Sequence, residues 1–61
     1  MTITITSDLI DAILERYDDL GGSYYGEESA ERFARYTLDE GFVGSVADFI
    51  EDVASDLRQN D

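Results

Sequence analysis

Sixty-one residues, with four arginines against fifteen aspartates and glutamates and no histidine, lysine or cysteine, carry a formal net charge of −11. The length allows one small domain, 1–61, whose core is marginal because a chain of about 60 residues buries only ~60% of its unfolded surface. The missing residue types exclude thiolate and imidazole catalysis, Cys/His zinc sites and Schiff-base chemistry, so no metal and no cofactor is expected. The charge opposes direct binding to nucleic acid or to an anionic membrane.

Thr2 to Thr6 alternate Thr-Ile-Thr-Ile-Thr. This is period two with β-branched side chains, and it predicts a short strand over about 2–6 with Ile3 and Ile5 on one face. Thr6 or Ser7 then caps a first helix over about 7–20, whose apolar stripe is Leu9, Ile10, Ile13, Leu14, Tyr17 and Leu20. Gly21 and Gly22 stop it. After the loop of Ser23, Tyr24 and Tyr25, a second helix is expected over about 27–40, with Ala30, Phe33, Ala34 and Thr37 on one face. Gly41 follows as a C′ residue, and Phe42 to Gly44 form a tight connection. Ser45 begins a third helix over about 45–58, with Asp48 completing a near capping box. Its stripe is Val46, Phe49, Ile50, Val53, Ala54 and Leu57, and the tail from Arg58 to Asp61 is expected to fray. The expected class is therefore α+β, mostly helical: one strand and three amphipathic helices around a single core. A lone strand must pair. The Phe42-Val43 segment, the Tyr24-Tyr25 loop or a second copy could supply the partner, the last giving a homodimer.

The charge is distributed unevenly. The first helix carries Asp8, Asp11, Glu15 and Asp18, closed by Asp19; the third carries Asp48, Glu51, Asp52 and Asp56. The second instead spaces Glu28 with Arg32, Glu31 with Arg35, and Arg35 with Asp39 as opposite i,i+4 pairs, which stabilise a helix. Carboxylates at helix C-termini, such as Asp18, Asp19, Asp39 and Glu40, oppose the macrodipole at a cost of about 0.3–1 kcal/mol each. Charge placed at local cost points to an external use. The competing explanation is a solvated face, or a proteome adapted to high salt.

Acidic side chains three or four residues apart stand about 4.5–6 Å apart along a helix axis. That is comparable to the spacing of phosphates on a DNA strand. Two such stripes would suit the arginine- and lysine-lined groove of a DNA-binding protein. Tyr24 and Tyr25 could anchor the rim or cover the core.

The segment Ala34-Arg35-Tyr36-Thr37-Leu38-Asp39-Glu40-Gly41-Phe42-Val43-Gly44, followed by Phe49-Ile50-Glu51-Asp52, resembles part of the ArdA antirestriction family, DNA mimics that block restriction enzymes. The resemblance covers about half of the chain. It lacks the family's proline before the later helix and its multidomain length. In size, acidity and absence of lysine the chain also resembles small phage-encoded anti-CRISPR proteins, several of which occupy the DNA or PAM site of a Cas effector. These resemblances imply a non-enzymatic inhibitor of a host defence complex. Its partner would be the basic DNA-binding surface of a CRISPR effector or a restriction complex. The partner-binding residues would be the carboxylates of the first and third helices with Tyr24 and Tyr25. The alternative is a generic acidic interaction module, antitoxin-like or an assembly partner, from a salt-adapted organism.

Other chemistries fit less well. Asp18 to Ala30 places Leu20, Gly21 and Gly22 where a calcium loop needs ligands. The Asp-Ser-Leu turn of an acyl carrier protein is absent, and a ribbon-helix-helix regulator would need cationic phosphate contacts. No basic leader and no apolar run of about 20 residues occurs. The expected location is cytoplasmic, in the host cell if the protein is phage-encoded.

Overall fold

In the computed structural model, which describes residues 3–61, three helices pack against one another: α1 (Ser7–Asp19), α2 (Glu27–Asp39) and α3 (Val46–Gln59). The expected α+β class is overturned, because no strand is formed among the described residues. Residues 3–6 run as a strap whose burial alternates, with Ile3 and Ile5 half-buried against the core and Thr4 and Thr6 exposed. Thr2, the first residue of the expected strand, lies outside the described residues.

The physical reason is that no second extended segment is available. The backbone N–H groups of Tyr24 and Tyr25 both donate to the Tyr17 hydroxyl, at 2.9 and 3.1 Å. The Phe42-Val43 segment is an irregular connection between Gly41 and Gly44, at φ +87° and +154°. Phe42 folds down edge-on against Phe49, with ring centroids 5.2 Å apart. Both candidate partners within the chain are thus held in irregular loops by other contacts.

Helix ends follow local chemistry. The Thr6 hydroxyl accepts from Leu9 N–H at 3.2 Å and starts α1. At its other end Gly21 N–H donates to the Asp18 carbonyl and Gly22 N–H to the Tyr17 carbonyl. This is a Schellman stop, with Gly21 at φ +95° supplying the left-handed residue. Gly26 precedes α2 without a side-chain cap. Before α3, the Ser45 hydroxyl accepts from Asp48 N–H and the Asp48 carboxylate accepts from Ser45 N–H, completing a capping box.

The core lies where the three apolar stripes meet. Phe49, Ile13, Leu57 and Val53 are its largest fully enclosed side chains, with Tyr17, Ala30, Ala34 and Ala54 around them. Among the described residues Thr37 is the buried polar residue outside the aromatic set, and its hydroxyl is satisfied by the Phe33 carbonyl at 3.0 Å. Alanines on the inner face of α2 let that helix approach closely, while the bulk comes from α1 and α3.

The end of the chain is held rather than frayed. The Tyr17 hydroxyl donates to Asp61 Oδ2 at 2.8 Å, Ser23 N–H donates to the same oxygen, and the Tyr25 hydroxyl donates to the Asn60 carbonyl at 2.8 Å. The α1–α2 loop and the end of α3 are therefore one hydrogen-bonded unit around a single buried tyrosine.

Candidate acidic recognition surface

The site is built from the sequence periodicity of α1. At about 100° per residue, the core positions Leu9, Ile10, Ile13 and Tyr17 define one direction, and Asp8, Asp11, Glu15, Asp18 and Asp19 fall within a sector of about 100° centred opposite to it. All five are exposed. None enters an ion pair among the described residues. The eleven-residue step from Asp8 to Asp19 spans about 16 Å, which puts a carboxylate every ~4 Å along the axis. One strand of DNA carries a phosphate every ~3.4 Å.

The acids of α3 are not a second copy of this face. Asp48 is engaged in the capping box. Glu51 is clamped by Arg16 of α1, with Nε donating to Oε2 at 2.6 Å and Nη2 donating to Oε1 at 3.2 Å. The guanidinium's hydrogen bond and charge hold the Glu51 carboxyl below the usual carboxylate range, and the pair raises Arg16. Asp52 is exposed. Asp56 winds round to the half-buried flank, where burial, followed by the charges of Asp52 and Glu40, pushes its carboxyl up. The structure therefore gathers the free carboxylates of the first stripe on one face and divides those of the second among a cap, an ion pair and a flank, with Asp52 alone left exposed and unpaired among the described residues.

The tyrosine pair is divided as well. Tyr25 is half-buried, with its ring 6.1 Å from Tyr17 and 5.8 Å from Phe33. Tyr24 stands 77% exposed and meets Tyr25 edge-on at 5.0 Å. Tyr24 can serve a partner; Tyr25 closes the core.

The C-terminus of α1 is less costly than its sequence implies. Arg58 of α3 donates from Nε to the Leu20 carbonyl at 3.0 Å. A second cation, beyond Arg16 in the last turn of α1, is thus supplied to this end by another helix. On α2, of the three pairs that the spacing allows, Glu31–Arg35 forms at 3.2 Å.

Sequence reasoning missed a second acidic feature. A groove of about 620 Å³ runs between the strap and the first turns of α1 and α2, lined by Ile5, Thr6, Ser7, Ile10, Asp11, Glu27, Glu28 and Glu31. The signal was present in Glu28 and Glu31, which the i,i+4 rule assigned to intrahelical pairing, and in Glu27, which that rule left without a role. Among the described residues no cluster of acidic side chains is arranged to hold a metal ion, and no helix is long and apolar enough to cross a membrane.

Comparison with protein-family models, with curated proteins and with solved structures gives no match.

Proposed function

We propose that this protein is a non-enzymatic, cytoplasmic inhibitor that occupies the DNA-binding surface of a host anti-phage defence complex, with a CRISPR effector the foremost target and a restriction complex the next. The observation that supports it is the outer face of α1: five exposed carboxylates at nearly the phosphate repeat, with no cation among them. A groove lined by arginine and lysine to bind DNA would meet a similar density of negative charge. Its guanidinium groups would pair bidentately with the carboxylates. The net charge of −11 steers the encounter and repels nucleic acid itself. Tyr24 adds an exposed aromatic ring at the α1–α2 end of the molecule.

The test is DNA competition across a panel of CRISPR effectors and restriction complexes loaded with target DNA. Release of the DNA from one member is expected, relieved by raising the salt from 0.1 to 1 M, which shortens the Debye length from about 10 Å to 3 Å. Asp11→Lys with Glu15→Lys should abolish the release at unchanged helicity. Asp39→Lys with Glu40→Lys makes the same change in net charge at the end of α2 and should leave inhibition intact. Equal loss in both double variants would reduce the effect to bulk charge. Full inhibition by the α1 variant would overturn the proposal.

A further inference from the structure

The strap and the groove beside it form a second surface, which shares Asp11 alone with the outer face of α1. Among the described residues, no backbone hydrogen bond involves the N–H or carbonyl groups of Ile3, Thr4 or Ile5; the Thr6 carbonyl accepts from Ile10 N–H as part of the α1 start. An extended segment of β-branched residues with free main-chain donors and acceptors is able to hydrogen-bond an incoming chain. On its α2 side the groove has an apolar floor, Ile5 and Ile10, and a rim of carboxylates, Asp11, Glu27, Glu28 and Glu31. Glu31 shares its charge with Arg35, whereas Glu27 and Glu28 have no ion pair among the described residues.

From these observations we infer that the groove between the strap and α2 binds an extended, basic segment of a protein partner, which hydrogen-bonds the strap backbone and sets its cations among Glu27, Glu28 and Glu31. The dimensions agree. Alternate side chains of an extended chain lie about 6.6–6.8 Å apart. Glu27 and Glu31, one helical turn apart, lie about 6 Å apart along α2. The aliphatic stems of arginine or lysine lie on Ile5 and Ile10 while the charged heads reach the rim. Charge selects this occupant over a second copy. Another chain of net charge −11 would bring its own Asp8 and Asp11, next to its strap, against the acidic rim.

The probe is a synthetic peptide of alternating arginine and valine, eight residues long, titrated into the isotope-labelled protein. A peptide of the same sequence with every main-chain amide N-methylated serves as control; it has the same charge but no main-chain N–H to donate. The expected result is slowed exchange at alternate strap amides that share one edge, Ile3 with Ile5 or Thr4 with Thr6, on adding the unmethylated peptide, and at least tenfold weaker binding of the N-methylated peptide. Glu27→Gln with Glu28→Gln should weaken the unmethylated peptide at least tenfold at unchanged helicity. Equal affinity for the two peptides, or shifts confined to Asp8, Glu15 and Asp19, would overturn the inference. So would sedimentation showing a dimer of the free protein that protects the same amides. The surface shares only Asp11 with the outer face of α1, so DNA competition can fail while peptide binding holds, and the reverse.

Discussion

Tyr17→Phe removes one oxygen and leaves the ring. The Tyr17 side chain is 2% exposed, so its packing against Tyr25 is retained in the variant. What is lost is a junction: the hydroxyl accepts from Tyr24 and Tyr25 N–H and donates to Asp61. Each bond contributes about 0.5–1.5 kcal/mol net. Tyr24 N–H sits in an exposed residue that water can reach, so its loss falls at the low end. Tyr25 N–H is part-buried, and the bond to the Asp61 carboxylate is charge-assisted. The expected total is about 2 kcal/mol, against a stability of roughly 3–9 kcal/mol for a domain of this size. At about 4–8 °C per kcal/mol for a small domain, the midpoint should fall by about 8–16 °C in a circular-dichroism melt. Asp61→Asn keeps an acceptor oxygen and should lose less than Asp61→Ala. A Tyr17→Phe midpoint within about 3 °C of the parent would refute the reasoning, since it would mean that ring packing alone holds the loop to the end of α3.

Other changes have equally definite outcomes. A Cβ at Gly22 would lie 2.0 Å from the Tyr17 ring, whereas at Gly26 nothing stands within 4 Å. Gly22→Ala should therefore prevent cooperative melting or lower its midpoint sharply, and Gly26→Ala should shift it little. Ser45→Ala removes the hydroxyl of the α3 capping box and should cost about 1 kcal/mol in urea unfolding. Asp56 has a raised carboxyl in the folded state, so its contribution to stability is present below the unfolded value of about 3.9 and is lost as pH rises through the higher folded value. Asp56→Asn should therefore raise the midpoint at pH 7, and the gain should vanish near pH 3. Glu51 has the opposite sign: its pairing with Arg16 stabilises above the ordinary carboxylate value and fades as pH falls through the lowered one. Glu51→Gln should flatten that acid limb.

The helices were legible because at least two of three signals coincided at each of them. The apolar period of 3.6 placed Ile13, Phe49 and Leu57 inward, glycines followed the ends of α1 and α2, and Thr6 and Ser45 stood at N-caps. The observed bounds lie within two residues of the expected ones. The strand failed because alternation describes a preference of the segment, while a ladder needs a second segment. Its candidates were taken by the Tyr17 hydroxyl and by two positive-φ glycines, tertiary facts that no local window contains. The fraying of the C-terminus failed for the same reason, since the partners of Asp61 lie 38 and 44 residues away. Within the candidate site, the outward direction of Asp8, Asp11, Glu15, Asp18 and Asp19 followed from helical geometry alone. The engagement of Glu51, and the division of Tyr24 from Tyr25, depended on which helices became neighbours.

Three of the four arginines explain how so acidic a chain folds while leaving one face uncompensated. Arg16 joins α1 to α3 through Glu51, Arg58 joins the end of α3 to the Leu20 carbonyl, and Arg35 neutralises Glu31 within α2. Two of these cations thus act between elements, where a single contact both fixes a helix neighbour and offsets a local excess of charge or a helix dipole. Arg16 leaves the outer sector of α1 for its flank, so the helix contains a cation that does not dilute its carboxylates. Moving it one residue along, by exchanging Arg16 with Glu15, would keep the composition and the net charge. It would break the link to Glu51 and set a positive charge in the middle of the acidic sector. A decoy acting through that sector should lose inhibition in this isomer, whereas a protein whose acidity serves only general solvation should show nothing beyond the stability lost with the α1–α3 link.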